Sequence, residues 1–285
     1  MLITMKLYVQ LIKFMFFSGL AGQVTAETIQ AKDLPIFDAH IHYSQDVWEA
    51  IPPKDAIRRL REAGITRALV SSSGDDGTQM LYQAAPGLVI PELRPYRKRG
   101  TLKTWMHDET VIPYLTQRLA KYRYVAIGEL HIDSEEANLP VIRQIVQLSR
   151  QHGLMLHVHS DAKAISYIFE QDPDAKILWA HAGFEYGYVI RDLLEKHKNL
   201  WADLSFRRDI FNNGRFLQDW QALLTDHADR FMLGVDTYTP QRWLQVQSVM
   251  DWQRQLLNAL PKEVAKKIAH ENGERVITNR FKRIQ

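Results

Sequence analysis

The sequence predicts an α/β protein folded as a single-domain (β/α)8 barrel, the TIM-barrel architecture. Eight short apolar runs alternate with longer stretches of helical period, which is the pattern of repeated β-α units around a parallel sheet. These units fit into about 250 residues, the usual size of such a barrel. An open, doubly wound sheet is the alternative for the same inventory. No Gly/Ser-rich linker, charge block or internal repeat divides the chain, which favours one domain.

The predicted strands are runs of mainly apolar residues bounded by turn residues and helical segments. In chain order they are IFDAHIH (36–42), ITRALVSS (65–72), GLVIPEL (87–93), YVAIGEL (124–130), LMLHVHS (154–160), KILWAHA (176–182), LWADLSF (200–206) and RFMLGVD (230–236). The third run is the least regular, because Pro91 lacks the amide hydrogen that a sheet ladder needs.

Helix signals stand between these strands. The segment 52–64 ends in Gly64, a typical helix stop, after an apolar stripe. The segment 138–153 is clearer, with Asn138 as an N-cap, a proline in its first turn and a glycine at its end. A helical tail around residues 260–277 closes the predicted domain.

The first 26 residues have the features of a secretory signal peptide. Lys6 and Lys13 come early, a short apolar stretch follows, and small residues precede a cleavage point near Ala26. We therefore expect a secreted or periplasmic protein whose mature domain spans residues 27–285. An uncleaved anchor is the second choice, because the apolar stretch is shorter than the roughly 20 residues that span a membrane.

Charge and cysteine content exclude several classes of function. The net charge is +3 and falls by two when Lys6 and Lys13 are removed, so we expect no nucleic-acid partner and, after cleavage, no membrane partner. The chain has no cysteine, which excludes disulfides and thiol nucleophiles and restricts any metal site to nitrogen and oxygen ligands. A small-molecule substrate is expected, and a homo-oligomer is left open.

Residues capable of metal chemistry collect at the C-terminal ends of the predicted strands, the face where barrels carry their active sites. They are His40 and His42 on strand 1, Glu129 on strand 4, His157 and His159 on strand 5, His181 on strand 6 and Asp236 on strand 8. Imidazoles and carboxylates converging on one rim are what Zn²⁺ or another borderline divalent ion requires.

Some polar residues on these strands also have a simpler interpretation. His157 lies one pleat deeper than His159, so a buried position behind the site is favoured for it. Glu129 could pair with an arginine at the barrel mouth. Asp38, two residues before His40, could orient the ligands or pair with a cation. The remaining histidines, namely His107, His131, His152, His197, His227 and His270, are expected at the surface.

The ordered set of His40-x-His42, LMLHVHSD, ILWAHAGF and FMLGVDTY resembles the amidohydrolase superfamily, in particular its amidohydrolase-2 branch. The resemblance extends from about residue 35 to KIAHENGERVI near the C-terminus. It implies that His40, His42 and His159 bind a divalent metal, most often Zn²⁺ and alternatively Mn²⁺. It further implies that Asp236 ligates the metal and accepts a proton from its bound water.

The same resemblance gives His181 one of two roles, as a ligand of a second metal or as a hydrogen-bond donor to the polarised substrate oxygen. Dinuclear members carry a carboxylated lysine on strand 4, where this chain has Glu129 in AIGEL. Glutamate serves as a bridging ligand in other members. The number of metal ions, one or two, therefore stays open.

Two arginines directly past strand ends, Arg94 and Arg207, are predicted to contact the substrate. An arginine at a barrel rim can hold a carboxylate or phosphate through paired hydrogen bonds, so an anionic substrate is expected.

Three functions compete at this point. The first is an exported metal-dependent hydrolase that uses metal-activated water to cleave an amide, lactone or ester bond in a small, anionic molecule. The second is a metal-dependent decarboxylase of an aromatic or unsaturated acid, a lyase activity that the same branch also contains. The third is a barrel that binds a metal or a ligand without turnover.

Overall fold

The computed structural model describes residues 31–284, so the predicted signal peptide lies outside the described part of the chain. Eight parallel strands form the central sheet: β1 (Ile36–His42), β2 (Ile65–Ser71), β3 (Val89–Leu93), β4 (Ala126–His131), β5 (Met155–His159), β6 (Ile177–Trp179), β7 (Leu200–Asp203) and, after a short antiparallel hairpin of β8 (Phe211–Asn212) and β9 (Arg215–Phe216), β10 (Phe231–Met232). The strands follow one another in chain order around the sheet.

The sheet closes between its first and last strands. The amide of Ala39 donates to the carbonyl of Leu233 at 2.8 Å, and the amide of Asp236 donates to the carbonyl of His40 at 2.7 Å. These bonds join β1 to the segment that follows β10. The predicted (β/α)8 barrel is confirmed, and the open, doubly wound sheet is excluded by this closure.

Helices cover the outside of the sheet and connect its strands. The α-helices are α1 (Gln45–Trp48), α2 (Pro53–Glu62), α3 (Asp76–Ala84), α4 (Val111–Lys121), α5 (Pro140–Gln151), α6 (Ala162–Gln171), α7 (Gly187–Lys196), α8 (Trp220–Asp226), α9 (Pro240–Leu244), α10 (Val246–Asn258), α11 (Lys262–Lys266) and α12 (Asn279–Ile284). Two π-helical turns, Lys267–Glu271 and Glu274–Thr278, lie between α11 and α12. No helix in residues 31–284 is long and apolar enough to cross a membrane.

The N-cap of helix α5 lies one residue later than predicted. Leu139 occupies the N-cap position and Pro140 the first helical position, where a proline needs no hydrogen-bond donor. Asn138 instead ends the preceding 3-10 turn, and its side-chain oxygen accepts a hydrogen bond from Arg143 at 3.1 Å. The prediction of Asn138 as the N-cap is therefore wrong.

Three strands end three or four residues earlier than predicted, on the side of the barrel that carries the candidate site. The chain leaves β6, β7 and β10 through residues with a positive φ, including His181 (57°), Phe206 (59°) and Asp236 (57°). A left-handed backbone cannot continue a strand, so the rim residues turn away from the sheet ladder.

An apolar layer fills the barrel beneath the rim. It contains Leu69, Ile90, Met155 and Trp201, each two residues before a polar residue on the same strand. Side chains two apart on a strand share a face, so this layer supports the polar rim directly. The C-terminal segment seals the layer, because Val276, Ile277 and Phe281 pack in the same cluster.

Candidate metal centre

The structure brings together His40, His42, Glu129, His159, His181 and Asp236, the six residues predicted to bind metal. At its centre, Nε2 of His40 lies 3.0 Å from Nε2 of His42. Nε2 of His42 lies 3.2 Å from a carboxylate oxygen of Glu129 and 3.3 Å from Oδ1 of Asp236. We call His40, His42, His181, Glu129 and Asp236 the inner group.

Asp236, from the segment after β10, and His181, from the end of β6, complete the inner group. Nε2 of His181 lies 3.8 Å from Oδ2 of Asp236 and 3.7 Å from Oε1 of Glu129. Oδ1 of Asp236 is buried and has no hydrogen-bond partner among the described residues. A buried carboxylate oxygen without a donor is costly unless another positive group satisfies it.

Glu129 lies between the inner group and the pocket. Its Oε1 is 2.8 Å from Nδ1 of His159, and its Oε2 is 2.8 Å from Nε2 of His131. The guanidinium of Arg94 donates to the same Oε2 at 2.8 Å. Glu129 therefore pairs with an arginine as predicted, but it also contacts five imidazoles (His40, His42, His131, His159 and His181).

Hydrogen bonds to the Nδ1 atoms of the ligand histidines, on the side away from the pocket, determine which ring nitrogen carries a proton. Ser205 donates its single hydroxyl hydrogen to Asp203, so its oxygen, 2.7 Å from Nδ1 of His181, acts as an acceptor there. The carbonyl of Ser205 also lies 3.0 Å from this Nδ1. Neutral His181 is therefore protonated on Nδ1 and keeps its Nε2 lone pair directed at the inner group.

His40 and His42 follow the same rule. Nδ1 of His40 faces Oδ2 of Asp203 at 3.1 Å, and Nδ1 of His42 faces the carbonyl of Ser71 at 3.2 Å. Both acceptors hold the proton on Nδ1, which leaves Nε2 as the ligand atom.

His157 occupies the buried position favoured for it. It is completely buried, with Nδ1 3.1 Å from Glu92 and Nε2 3.4 Å from Asp203. Burial would lower the pKa of His157, but Glu92 and Asp203 outweigh it and raise that pKa to about 9. His157 therefore supports Asp203 from below.

Asp38 orients the backbone of the ligand strand. Its Oδ1 accepts hydrogen bonds from the amides of His40 at 2.9 Å and Val235 at 3.2 Å. Burial raises the pKa of Asp38 to about 7. Asp38 therefore acts on the site by joining the backbone of β1 to the segment after β10, and it makes no hydrogen bond to the imidazole ring of a ligand histidine.

The charges of the inner group differ sharply between the two histidines of the H-x-H pair. Burial would lower the pKa of His40, but the surrounding carboxylates, Asp236 most strongly, raise it well above its usual range. Burial and the guanidinium of Arg94 lower the pKa of His42 to about 3. Without a metal the pair therefore carries one positive charge at neutral pH, on His40, in the place where a divalent ion would bring positive charge.

The donor set fits a divalent metal ion. Four groups among the described residues have ligand atoms within 4.8 Å of one another: His40, His42 and Glu129; His40, His181 and Asp236; His40, His157 and Asp203; and Glu129, His131 and His159. All donors are imidazole nitrogens or carboxylate oxygens, the ligands that zinc and manganese accept. The unpartnered oxygen of Asp236 adds a structural reason for a cation here.

A pocket of about 370 Å³ opens directly onto the inner group. Its wall includes Arg94, Arg99, Tyr96, Phe184, Phe206 and Tyr238 beside the metal-binding residues. A second pocket of about 470 Å³ adjoins it and shares Leu102, His131, His159 and Phe184 with it. The volumes suit a small molecule.

Arg94 and Arg207, the two predicted substrate contacts, have different positions. Arg94 lines the pocket and lies 2.8 Å from Nε2 of His42. Arg207 is buried outside the pocket wall: it donates to the carbonyls of His181 and Glu185 and pairs with Asp209. The chain turns at Phe206, whose φ is positive, and the guanidinium of Arg207 is held within the loop. Arg207 is therefore a structural residue in this structure, contrary to the prediction.

Four residues of the centre were not predicted as such: His131, Asp203, Glu92 and Ser205. His131 was expected at the surface, which is wrong: its side chain is 25% exposed and contacts Glu129. The signal was present in the spacing, because His131 follows Glu129 by two residues and so shares its face of the strand. Asp203 and Glu92 were likewise acids within apolar runs, where an unpaired carboxylate is rare.

A closed parallel barrel with histidines and carboxylates converging at the C-terminal ends of its strands defines a class of metal-dependent barrel enzymes. Within that class, the family model described as amidohydrolase matches residues 37–277. The chain therefore belongs to the amidohydrolase family, which usually binds a divalent metal ion, and this membership supports a metal-dependent hydrolase. The predicted family and the prediction of an enzyme are confirmed.

Solved structures with the same fold are distant in sequence. An uncharacterised TIM-barrel protein from Bordetella bronchiseptica is 13% identical, with 87% of this chain and 100% of that chain covered and a TM-score of 0.60. A protein from Acinetobacter baumannii described as a probable 2-pyrone-4,6-dicarboxylic acid hydrolase, with citric acid bound, is 11% identical (85% and 99% covered, TM-score 0.54). An amidohydrolase from Burkholderia multivorans with bound zinc is 12% identical (85% and 98%, 0.53). These likenesses show the fold alone, and a comparison with curated proteins found no match.

Proposed function

We propose that this protein is an exported hydrolase that cleaves an amide, lactone or ester bond in a small, anionic molecule, with one or two divalent ions, Zn²⁺ foremost and Mn²⁺ as the alternative. One observation carries the proposal. The Nε2 atoms of three histidines and two carboxylates, all members of the inner group, lie within 4 Å of one another in linked pairs, and they border a pocket of about 370 Å³. Export rests on the signal-peptide features of residues 1–26.

His40, His42, His181, Glu129 and Asp236 would hold the first ion. When bound, such an ion supplies a Lewis acid that polarises a carbonyl oxygen and lowers the pKa of water. Nδ1 of His40 and of His181 each stay bonded to the groups behind them, so the ligand atoms are oriented before any ion arrives.

Asp236 is the group best placed to accept a proton from the attacking water. Its Oδ1 faces the centre without a hydrogen-bond donor, and Asp236 lines the pocket. A carboxylate in this position can take the proton and deliver it to the leaving group.

His181 serves the inner group as a lone-pair donor while it is neutral, because its proton is on Nδ1. A hydrogen bond from Nε2 to a substrate oxygen requires the imidazolium form. Of the two roles implied by the resemblance, the geometry therefore supports the ligand role for neutral His181.

The preference for an anionic substrate comes from the pocket wall. Arg94 and Arg99 both line it, and Arg94 lies within hydrogen-bond distance of the inner group. A guanidinium at that depth can bind a carboxylate beside the reacting carbonyl. The citric acid in the Acinetobacter baumannii structure is an anionic ligand of a protein with the same fold.

Decarboxylation of an aromatic or unsaturated acid is the second candidate. It is favoured by the same buried Arg94, which would place a carboxylate next to the metal ligands, and by the aromatic residues Tyr96, Phe184 and Phe206 in the wall. The two reactions differ in product, because only decarboxylation releases carbon dioxide.

The test begins with the mature protein, residues 27–285, depleted of metal and reloaded with zinc or manganese. A panel of lactones, esters and amides that carry a carboxylate is assayed for hydrolysis products, and a panel of aromatic and unsaturated acids is assayed for carbon dioxide. Asp236→Asn is compared with Asp226→Asn, an exposed acid on α8.

We expect ion-dependent hydrolysis in the wild type and in Asp226→Asn, and a loss of about 10²–10⁴-fold in Asp236→Asn. Carbon dioxide release without hydrolysis would select the decarboxylase. A bound ion with turnover of neither panel would favour the non-catalytic barrel, and failure to bind any ion would overturn the proposal.

A further inference from the structure

A further cavity, of about 340 Å³, adjoins the pocket that opens onto the inner group. Among the described residues, Phe206 alone lines both spaces. Another part of the wall belongs to α10, which contributes Ser248, Trp252 and Gln253. We call this space the α10 cavity. It is separate from the active-site pocket, and the ring of Phe206 borders both.

Two guanidinium groups without an acidic partner line the α10 cavity. Arg208 lies 5.8 Å from the ring centre of Trp252, and Arg242 lies 4.1 Å from the ring centre of Phe206. Within residues 31–284, neither guanidinium forms an ion pair with a carboxylate. Two positive charges that border one cavity and lack a counter-charge favour an anionic ligand.

Arg242 keeps one nitrogen available for such a ligand. Its Nε and Nη2 donate to the carbonyl of Val235 at 3.1 and 2.8 Å, and Nε also lies 3.3 Å from the carbonyl oxygen of Asp236. Nη1 carries two hydrogens and donates one of them to the exposed side chain of Gln245 at 3.3 Å. The other hydrogen can bind an anion while the bonds to the backbone at Asp236 stay intact.

The α10 cavity also offers a hydrogen-bond acceptor, on Gln253. Its Nε2 donates to the carbonyl of Gly234 at 2.7 Å, which fixes the orientation of the amide. Gln253 is 1% exposed, and its Oε1 has no hydrogen-bond donor among the described residues. A buried acceptor is costly unless a ligand or water supplies the donor. A ligand that satisfies both the guanidiniums and Gln253 is therefore an anion with a hydrogen of its own.

We propose that the α10 cavity binds a small oxyanion that carries its own hydrogen-bond donor, either monohydrogen phosphate or a hydroxycarboxylate. Arg208 and Nη1 of Arg242 bind the anionic oxygens, and the hydroxyl group of the ligand donates to Oε1 of Gln253. The cavity lies outside the metal centre, so the inference does not rest on the proposed function. A bound anion also holds Arg242, and with it the backbone at Asp236, more firmly.

Calorimetric titration of the manganese-loaded mature protein at pH 8 tests the ligand class with two matched pairs of probes. Phosphate is compared with sulfate, and glycolate with acetate. The members of each pair have the same charge, but only phosphate and glycolate carry a hydroxyl hydrogen. We expect at least one of these two to bind about two- to tenfold more tightly than its partner, the contribution of one hydrogen bond. The tighter of phosphate and glycolate identifies the oxyanion.

Substitutions locate this binding within the chain. Arg208→Met should weaken it about ten- to hundredfold, because it removes a hydrogen bond between two charged groups, and Arg208→Lys should recover part of the affinity. Arg94→Met, in the active-site pocket, should keep it. The matched control is Arg61→Met, which removes an exposed arginine on α2 and should also keep it. Far-ultraviolet circular dichroism checks that each variant is folded.

Hydrogen–deuterium exchange at saturating phosphate or glycolate reports the position independently. We expect slower exchange in residues 204–210 and 233–253 of the wild type, and no such change in Arg208→Met. Equal affinity in wild type and Arg208→Met, slower exchange confined to residues 94–107, or no binding of any probe would overturn the site. Equal binding within both pairs of probes would overturn the role of Gln253. The proposed function stands in each of these cases.

Discussion

Nδ1 of His40 lies 3.1 Å from Oδ2 of Asp203, and both side chains are completely buried. Asp203 is in turn the acceptor for Ser205, whose oxygen contacts Nδ1 of His181. One carboxylate on β7 therefore orients two imidazoles of the inner group, one directly and one through a hydroxyl. The sequence alone showed neither connection.

Asp203→Asn should weaken metal binding while leaving the ligands in place. An amide can accept the proton of Nδ1 but carries no charge, and loss of such a supporting group costs about 10- to 100-fold in metal affinity. Competition with a chromophoric chelator measures the change. Glu92→Gln is the graded control, because Glu92 pairs with His157, which contacts both Asp203 and the ring of His40. An equal loss in both variants would contradict the specific role of Asp203.

Binding of the first ion should release about one proton, and its affinity should rise with pH. The pKa of His40 is raised well above its usual range, so His40 is protonated at pH 7 and must lose a proton before Nε2 can bind a metal. His42, with a pKa of about 3, is already neutral and releases none. Below the pKa of His40, each pH unit should change the affinity by up to about tenfold.

Calorimetric titration of the protein with metal, in buffers of different ionisation enthalpy, measures this proton count. An affinity that does not change between pH 6 and pH 8 would show that His40 is neutral in the free protein.

The barrel layer below the site gives a prediction about stability. A Cβ added at Gly273 would lie 2.1 Å from the Phe37 ring, which is itself buried, so the ring has no room to move. Gly273→Ala should lower the free energy of unfolding by about 1–3 kcal/mol, the usual cost of overpacking. Urea unfolding measures it. Gly100→Ala, where an added Cβ meets nothing within 4 Å, should be close to neutral; equal effects would show that the C-terminal segment does not press on Phe37.

The alternation of apolar runs with segments of helical periodicity was sufficient to predict the barrel. Each of the eight runs contains one strand of the sheet, and β1 has its predicted bounds of 36–42. The errors lie at the rim, where β6, β7 and β10 stop early. There the backbone is set by left-handed residues such as His181 and Asp236, and nothing in the local sequence period encodes a positive φ at a non-glycine residue.

The sequence predicts the metal-binding residues at the ends of strands, but it does not predict the supporting contacts that reach across the barrel. His40, His42 and Asp236 follow from strand order, because parallel strands bring their C-terminal ends together. Asp203 supports His40 from the seventh strand, 163 positions away in the chain. Such a pairing depends on the radial direction of each side chain, which an apolar run containing one acid does not specify.

Arg94 and Arg207 had the same sequence argument, a position directly past a strand end, and the structure separates them. Arg94 faces the pocket, whereas Arg207 donates to two backbone carbonyls and lies 4.5 Å from the ring centre of Trp220. Replacing each with methionine keeps length and removes charge. We therefore expect the Arg94 variant to lose activity toward an anionic substrate and the Arg207 variant to lose stability.

Arg94→Met should lower kcat/KM for an anionic substrate roughly ten- to hundredfold, because a hydrogen bond to a charged group contributes about 1.5–3 kcal/mol. The loss should be small for a neutral analogue of the same substrate. Arg207→Met should instead leave the carbonyls of His181 and Glu185 without a donor, at a cost of about 1–3 kcal/mol in the free energy of unfolding. Steady-state kinetics and urea unfolding on both variants distinguish the effects. A selective loss of anionic substrate in Arg207→Met, with unchanged stability, would restore Arg207 as a substrate contact and would mean that its loop opens toward the pocket when substrate binds.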